Sequence, residues 1–121
     1  MTTLSKLILS GSTNGRGIAV VATATTGTTI HATGTSNTTL DEVWLYANNI
    51  HSAAVTLTVE FGGTTATSDL IQLSIPATPS GLYIVVAGLI LRGTGSAATT
   101  ITAFASAASK IEIFGFVNRI T

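Results

Sequence analysis

Cysteine is absent from this chain, and with it go disulfide staples, thiolate metal sites and cysteine nucleophiles. Charge is almost absent too. Only 8% of residues are charged, five basic against five acidic, so the formal net charge is zero. That leaves no basic footprint for nucleic acid or for an anionic membrane surface, and neither is expected as a partner. Proline occurs twice, aromatic residues make up 6%, and continuous apolar stretches are short. The longest, Leu82 to Leu91, is about half of what a membrane-spanning helix needs, and reads as a strand buried on both sides. Met1 to Leu9 carries a single lysine and too short an apolar run for a secretory signal. Synthesis in a reducing cytoplasm is the expectation these absences support.

What the chain does contain is alternation with period two. Val55, Leu57, Val59 and Phe61 share one parity while Thr56, Thr58 and Glu60 share the other; Ile71, Leu73 and Ile75 stand opposite Gln72 and Ser74. A half-buried strand needs this pattern, because successive side chains point to opposite faces of a sheet. Thr58, on the solvent-side parity, is expected to tolerate alanine, unlike Val59 or Leu73. Similar segments recur about every ten residues with glycine, proline, asparagine and serine between them, the rhythm of an antiparallel sandwich or barrel. The expected strands are Ser5 to Leu9, Ile18 to Thr25, Thr28 to Thr33, Leu40 to Asn48, Ala53 to Phe61, Asp69 to Ile75, Leu82 to Arg92, Ala98 to Ala105 and Lys110 to Ile120. The Ala-rich segment near residue 100 favours strand over helix because Thr99, Thr100, Ile101 and Thr102 are β-branched. The chain reads as one all-β domain of about eight or nine strands. Residues 40–121 form the sandwich core, and the Thr/Gly-rich residues 1–39 form an arm or hairpin region.

Three segments break the simple rule of one apolar face. In Leu82 to Leu91, strict alternation would place Leu82, Ile84, Val86 and Ile90 on one side and Tyr83, Val85, Ala87, Leu89 and Leu91 on the other, both apolar. The last strand likewise sets Ile111, Ile113 and Val117 against Phe114, Phe116 and Ile120. In Leu40 to Asn48, Val43, Leu45 and Ala47 face a core, leaving Trp44 and Tyr46 together on the opposite face between Glu42 and Asn48. An apolar outer face needs a cover from another subunit or a long loop, so a cyclic homo-oligomer is expected. Its interface is assigned to Trp44, Tyr46, Tyr83, Leu89, Leu91, Phe114 and Phe116.

Catalytic, metal and cofactor sites are not expected. His31 and His51 are the two histidines, read as exposed; a metal site would need His51 with Asp41, or His31 with Asp69, plus further ligands. Asp41 and Glu42 are neighbours on a strand and face opposite ways, which rules out an acid–base pair on one surface. Glu60, Asp69 and Glu112 stand isolated among hydroxyl residues. The Gly11 to Gly17 stretch lacks the Gly-Lys-Ser/Thr ending of a phosphate loop, and Asn14-Gly15 reads as a turn. Trp44, Tyr46 and Asn48 on one face leave a sugar-binding platform open as an alternative use.

Four blocks carry a family resemblance: residues 40–48 (LDEVWLYAN), 55–63 (VTLTVEFGG), 81–89 (GLYIVVAGL) and 113–120 (IFGFVNRI). They resemble the small jelly-roll head decoration, or cement, proteins of tailed bacteriophages, over residues 40–121. The resemblance implies a jelly-roll sandwich and a homotrimer on the outer surface of an icosahedral virion. There it would bridge neighbouring copies of the major capsid protein against internal pressure. A tail-fibre or spike module that binds a host glycan is the alternative within the same setting, and a free-standing lectin-like module is a third.

Overall fold

The computed structural model describes residues 2–121. Nine strands and no helix form among these residues: β1 (Leu4–Ile8), β2 (Ile18–Ala19), β3 (Thr28–Ala32), β4 (Leu40–Asn49), β5 (Val55–Phe61), β6 (Leu70–Ile75), β7 (Tyr83–Arg92), β8 (Thr100–Ala105) and β9 (Ile111–Ile120). Every pairing is antiparallel. One sheet runs β1-β9-β4-β7, and β2 joins the same side of β9 as β1, further along the strand. The second runs β3-β8-β5-β6. Together they make a β-sandwich with the core between them.

The pairing has a simple order. β2, β3, β4 and β5 pair in turn with β9, β8, β7 and β6. The chain therefore doubles back on itself as one long ribbon, and the further pairings β4–β9 and β5–β8 roll that ribbon into two sheets. The strands within residues 4–32 belong to this sandwich and not to a separate arm: β1 and β2 edge the first sheet and β3 edges the second. The strand expected over Ile18 to Thr25 is hydrogen-bonded as strand only at Ile18–Ala19, because the chain then leaves the sheet.

Parity fixes the core. Val43, Leu45 and Ala47 of β4, Ile111, Ile113 and Val117 of β9, and Leu57 and Val59 of β5 are fully buried. Apolar burial at about 25 cal/mol per Å² is the main force holding the sheets together. On β5, however, the second parity is also buried beyond Thr56. Thr58 is 2% exposed and Glu60 is 1% exposed, contrary to the expectation for a solvent face. The cause is the segment 22–27, which runs against the outer side of the second sheet. Glu60 accepts hydrogen bonds from the Thr25 hydroxyl, from the Gly27 amide at 2.8 Å and from the Thr102 hydroxyl at 2.6 Å. Ala105 N–H also donates to the Ala22 carbonyl at 3.1 Å. This strap satisfies a buried carboxylate with neutral donors alone.

β7 departs from strict alternation at two places. Its register against β4 slips at Gly88 and again at Val85, each an extra residue with no partner opposite. The two bulges move Ala87 to the outer face beside Ile84 and Ile90, while Val86, Leu89 and Leu91 lie on the side of Val43 and Asp41. β7 is moreover the edge of its sheet and not a strand buried on both sides within the chain. Ile84 is 63%, Ile90 54% and Leu89 46% exposed.

Substitutions test this register. Leu57→Ala, at a fully buried site, is expected to cost about 2–5 kcal/mol in urea unfolding through lost volume. Ser74→Ala, on the exposed side of β6, should change stability by less than about 0.5 kcal/mol. Equal effects at the two sites would mean that β5 and β6 are paired one residue out of register.

Candidate functional site

Two side-chain groupings stand out: a buried charge cluster and an open aromatic face. The cluster lies between the sheets. A bulge at Thr29–His31 on β3 turns both Ile30 and His31 toward the core, so His31 is 2% exposed where a surface position was expected. Its Nε2 lies 2.8 Å from Asp41 Oδ2, and Arg119 closes on the same carboxylate with two bonds of 2.7 and 2.9 Å. Ser10 N–H donates to His31 Nδ1 at 3.1 Å, which makes Nδ1 the lone-pair atom and places the proton on Nε2. His31 is thus neutral in this arrangement and donates to Asp41.

This is a clamp, not a catalytic triad: Ser10 contributes its amide to the ring, while its hydroxyl accepts from Ala32 N–H at 2.7 Å. The histidine pairs with Asp41, neither His51 nor Asp69 taking part. Asp41 belongs to the first sheet and His31 to the second, so the bond crosses the core. Burial pushes the Asp41 carboxyl up, but the hydrogen bonds from Arg119 and His31, with the Arg119 charge, outweigh it and hold it below the usual carboxylate range. Glu60 is also lowered: its burial acts upward, and the bonds from Thr102, Thr25 and Gly27 prevail.

The second grouping is the outer face of the first sheet. Glu42, Trp44, Tyr46 and Asn48 of β4 point away from the core, as do Glu112, Phe114, Phe116 and Asn118 of β9. Register sets Trp44 beside Phe116 and Tyr46 beside Phe114. The Trp44 and Phe116 rings stack nearly parallel, 9° apart in plane, with centroids separated by 6.0 Å. Lys6 on β1 caps the far side of Phe116, its Nζ 5.0 Å from the ring centre. On the opposite flank the indole covers Gly88, where an added Cβ would stand 3.0 Å from Trp44 Cζ2. A row Lys6–Phe116–Trp44–Gly88 therefore crosses all four strands.

Polar groups tie this row down. Glu42 Oε1 accepts from Trp44 Nε1 at 2.8 Å and from Asn118 Nδ2 at 2.9 Å. Those two bonds, Asn118 first, hold the Glu42 carboxyl below its usual range. Beside Phe114 lies a shallow hollow of about 500 Å³ lined by Thr13, Arg16, Gly17 and Glu112. Its wall is the loop after β1, in which Asn14 at φ 56° and Gly15 at φ 83° form the expected left-handed turn. Around the aromatics the face is apolar: Leu4 is 66% and Ile8 52% exposed at the β1 edge, and Ile84 and Ile90 are exposed at the β7 edge. Of the expected interface residues, Trp44, Tyr46, Phe114 and Phe116 share this face. Leu89, Leu91 and Tyr83 lie on the other side of the sheet, near its β7 edge.

Comparison with protein-family models, with curated proteins and with solved structures finds no match for this chain.

Acid should weaken the fold through the clamp. A lowered carboxyl contributes stability that is complete above the ordinary carboxylate pKa and is lost as pH falls through the folded value. Stability is therefore expected to hold through neutral pH and to decline below about pH 4 as Asp41 and Glu60 take up protons. Asp41→Ala, which strands Arg119 and His31, should cost about 3–5 kcal/mol at neutral pH and flatten the acid limb. Urea titrations across the acid range measure both.

Proposed function

We propose that this chain is a structural protein of a virion. It would be a head decoration, or cement, protein sitting as a homotrimer on the outside of an icosahedral phage head and bridging major capsid proteins. The observation that carries the reading is the uncovered aromatic and aliphatic outer face of the first sheet, from Leu4 and Ile8 through Phe116 and Trp44 to Ile84. The second sheet closes its own outer side with the polar strap, whereas the first exposes contiguous apolar side chains that favour burial against another protein surface. Trp44 is the natural anchor, since a packed aromatic with its N–H already satisfied can be buried without leaving a polar group unpaired.

The nested strand order supports a jelly-roll reading. Pairing β2 to β9, β3 to β8, β4 to β7 and β5 to β6 is what a doubled ribbon rolled into two four-stranded Greek-key sheets requires. The blocks that resemble decoration proteins coincide with β4, β5, β7 and β9, and three of these, β4, β7 and β9, build this face. No catalytic role is assigned: the buried His31–Asp41–Arg119 cluster is consumed in holding the sheets together.

Light scattering of the purified chain is expected to give a trimer at micromolar concentration, and Trp44→Ala or Phe116→Ala should lower its association by about tenfold or more. The same variants should lose attachment to undecorated heads in a co-sedimentation assay. A monomer that binds no capsid overturns the proposal. Specific sugar binding that disappears with Trp44, in the absence of capsid affinity, would transfer the face to the glycan-binding alternative.

A further inference from the structure

One line of three side chains on the outer face combines an amine, an amide and a carboxylate, a chemistry beyond their part in packing. Lys6 stands directly opposite Asn118 in the β1–β9 register, and Asn118 stands directly opposite Glu42 in the β9–β4 register. Cross-strand neighbours on one face have Cβ atoms about 4.5–5.5 Å apart, a gap that a lysine stem spans easily. The amine of Lys6 lies along the sheet over Phe116, two residues from Asn118 on the same face. On the other side, Glu42 Oε1 is 2.9 Å from Asn118 Nδ2, the nitrogen that an attack on this amide would expel. Glu42 Oε2 takes part in no hydrogen bond among the described residues.

We infer that Lys6 and Asn118 are the two halves of an intramolecular isopeptide bond, formed with Glu42 as the proton carrier. The uncharged Lys6 amine attacks Asn118 Cγ, the new C–N bond forms, and the carbonyl π electrons move onto Oδ1. Collapse of this tetrahedral centre restores the carbonyl and breaks the Cγ–Nδ2 bond. The proton shed by Nζ passes through the Glu42 carboxylate to Nδ2, which leaves as ammonia. Glu42 ends as it began, and nothing is oxidised or reduced. A carboxylate within about 2.6–3.2 Å of the leaving nitrogen is where a general acid–base group has to be. Lys6 is exposed, so its amine is mostly solvated and the step is slow. Holding both partners in register on adjacent strands offsets this, because the encounter is intramolecular. The reaction needs to occur once per chain.

The product would join the first strand to the last. β1 is a five-residue edge strand with exposed residues at four positions, the element most prone to fray. A covalent tie to β9 would hold it in place under load.

The test is the mass of the full chain after incubation at about pH 7 and about pH 9, the latter because only an uncharged lysine amine attacks. The expected product is lighter by one ammonia, and its tryptic map contains a branched peptide joining Lys6 to Asn118 with no cleavage after Lys6. Lys6→Arg and Asn118→Ala should abolish it. Glu42→Gln keeps the acceptor for Trp44 and Asn118, so the fold persists, while bond formation should slow by about a hundredfold or more. A chain of full mass under both conditions overturns the inference. So does ammonia loss that maps to Asn14-Gly15 as a succinimide. Unchanged kinetics in Glu42→Gln would overturn the role given to Glu42. The wild-type peptide map decides the bond itself, independently of how any variant folds and of whether the protein binds capsids.

Discussion

The ten-residue register of β4 against β9, unbroken from Leu40–Ile120 to Asn49–Ile111, is the constraint on which the rest of the molecule depends. A shift by one residue would reverse every side chain on one strand. Asp41, Val43, Leu45 and Ala47 would leave the core, and Trp44 and Tyr46 would enter it. Because the same register also pairs Trp44 with Phe116 and Glu42 with Asn118, core and outer face are specified together. β9 then receives β1 and β2 along its other side, so the two ends of the chain meet in one sheet.

Scarcity of charge makes each charged group consequential. Of the five acidic residues, Asp41 and Glu60 are buried and Glu42 anchors the outer aromatic row. Each is fully hydrogen-bonded where it is buried, as buried charge requires. Asp41 is neutralised by Arg119, whereas Glu60 relies on two hydroxyls and an amide. These polar contacts contribute less than apolar burial to net stability. Their effect is on uniqueness: the first fixes how the two sheets slide over one another, and the second fixes where the strap lies.

The sequence made the strands legible because alternation reports burial directly, and β4, β6 and β9 follow it. Trp44 and Tyr46 could be placed together on an outer face, and Asp41 apart from Glu42, by parity alone. Parity fails wherever a strand bulges. The slips at Val85 and Gly88 moved Ala87 away from Leu89 and Leu91, and the bulge on β3 took His31 from the surface into the core. A glycine inside an apolar strand, as at Gly88, is itself a signal for a bulge or a close approach, and here both apply. The burial of Glu60 had no local signal, since it depends on a strap more than thirty residues away in sequence. Asp41 did carry one: a carboxylate on the same parity as Val43, Leu45 and Ala47 has to find partners inside.

The bulges on β7 also bear on how the molecule meets others. An edge strand of ten residues with exposed Ile84, Leu89 and Ile90 is a ready template for a strand from another chain. Two unpaired residues within that edge break the even spacing of its donors and acceptors and increase its local twist, which disfavours continuous edge-to-edge addition. β1, at the other edge, is short, carries Lys6 and is followed by a loop that folds back beside β9. With both edges blunted, the aromatic face between them is the surface left for association. Its geometry suits a partner that packs flat on it, because Trp44 and Phe116 are already held in place by one another and by Glu42, Asn118 and Gly88. Little side-chain entropy remains to be lost there on binding, and pre-organisation of this kind turns apolar area into affinity.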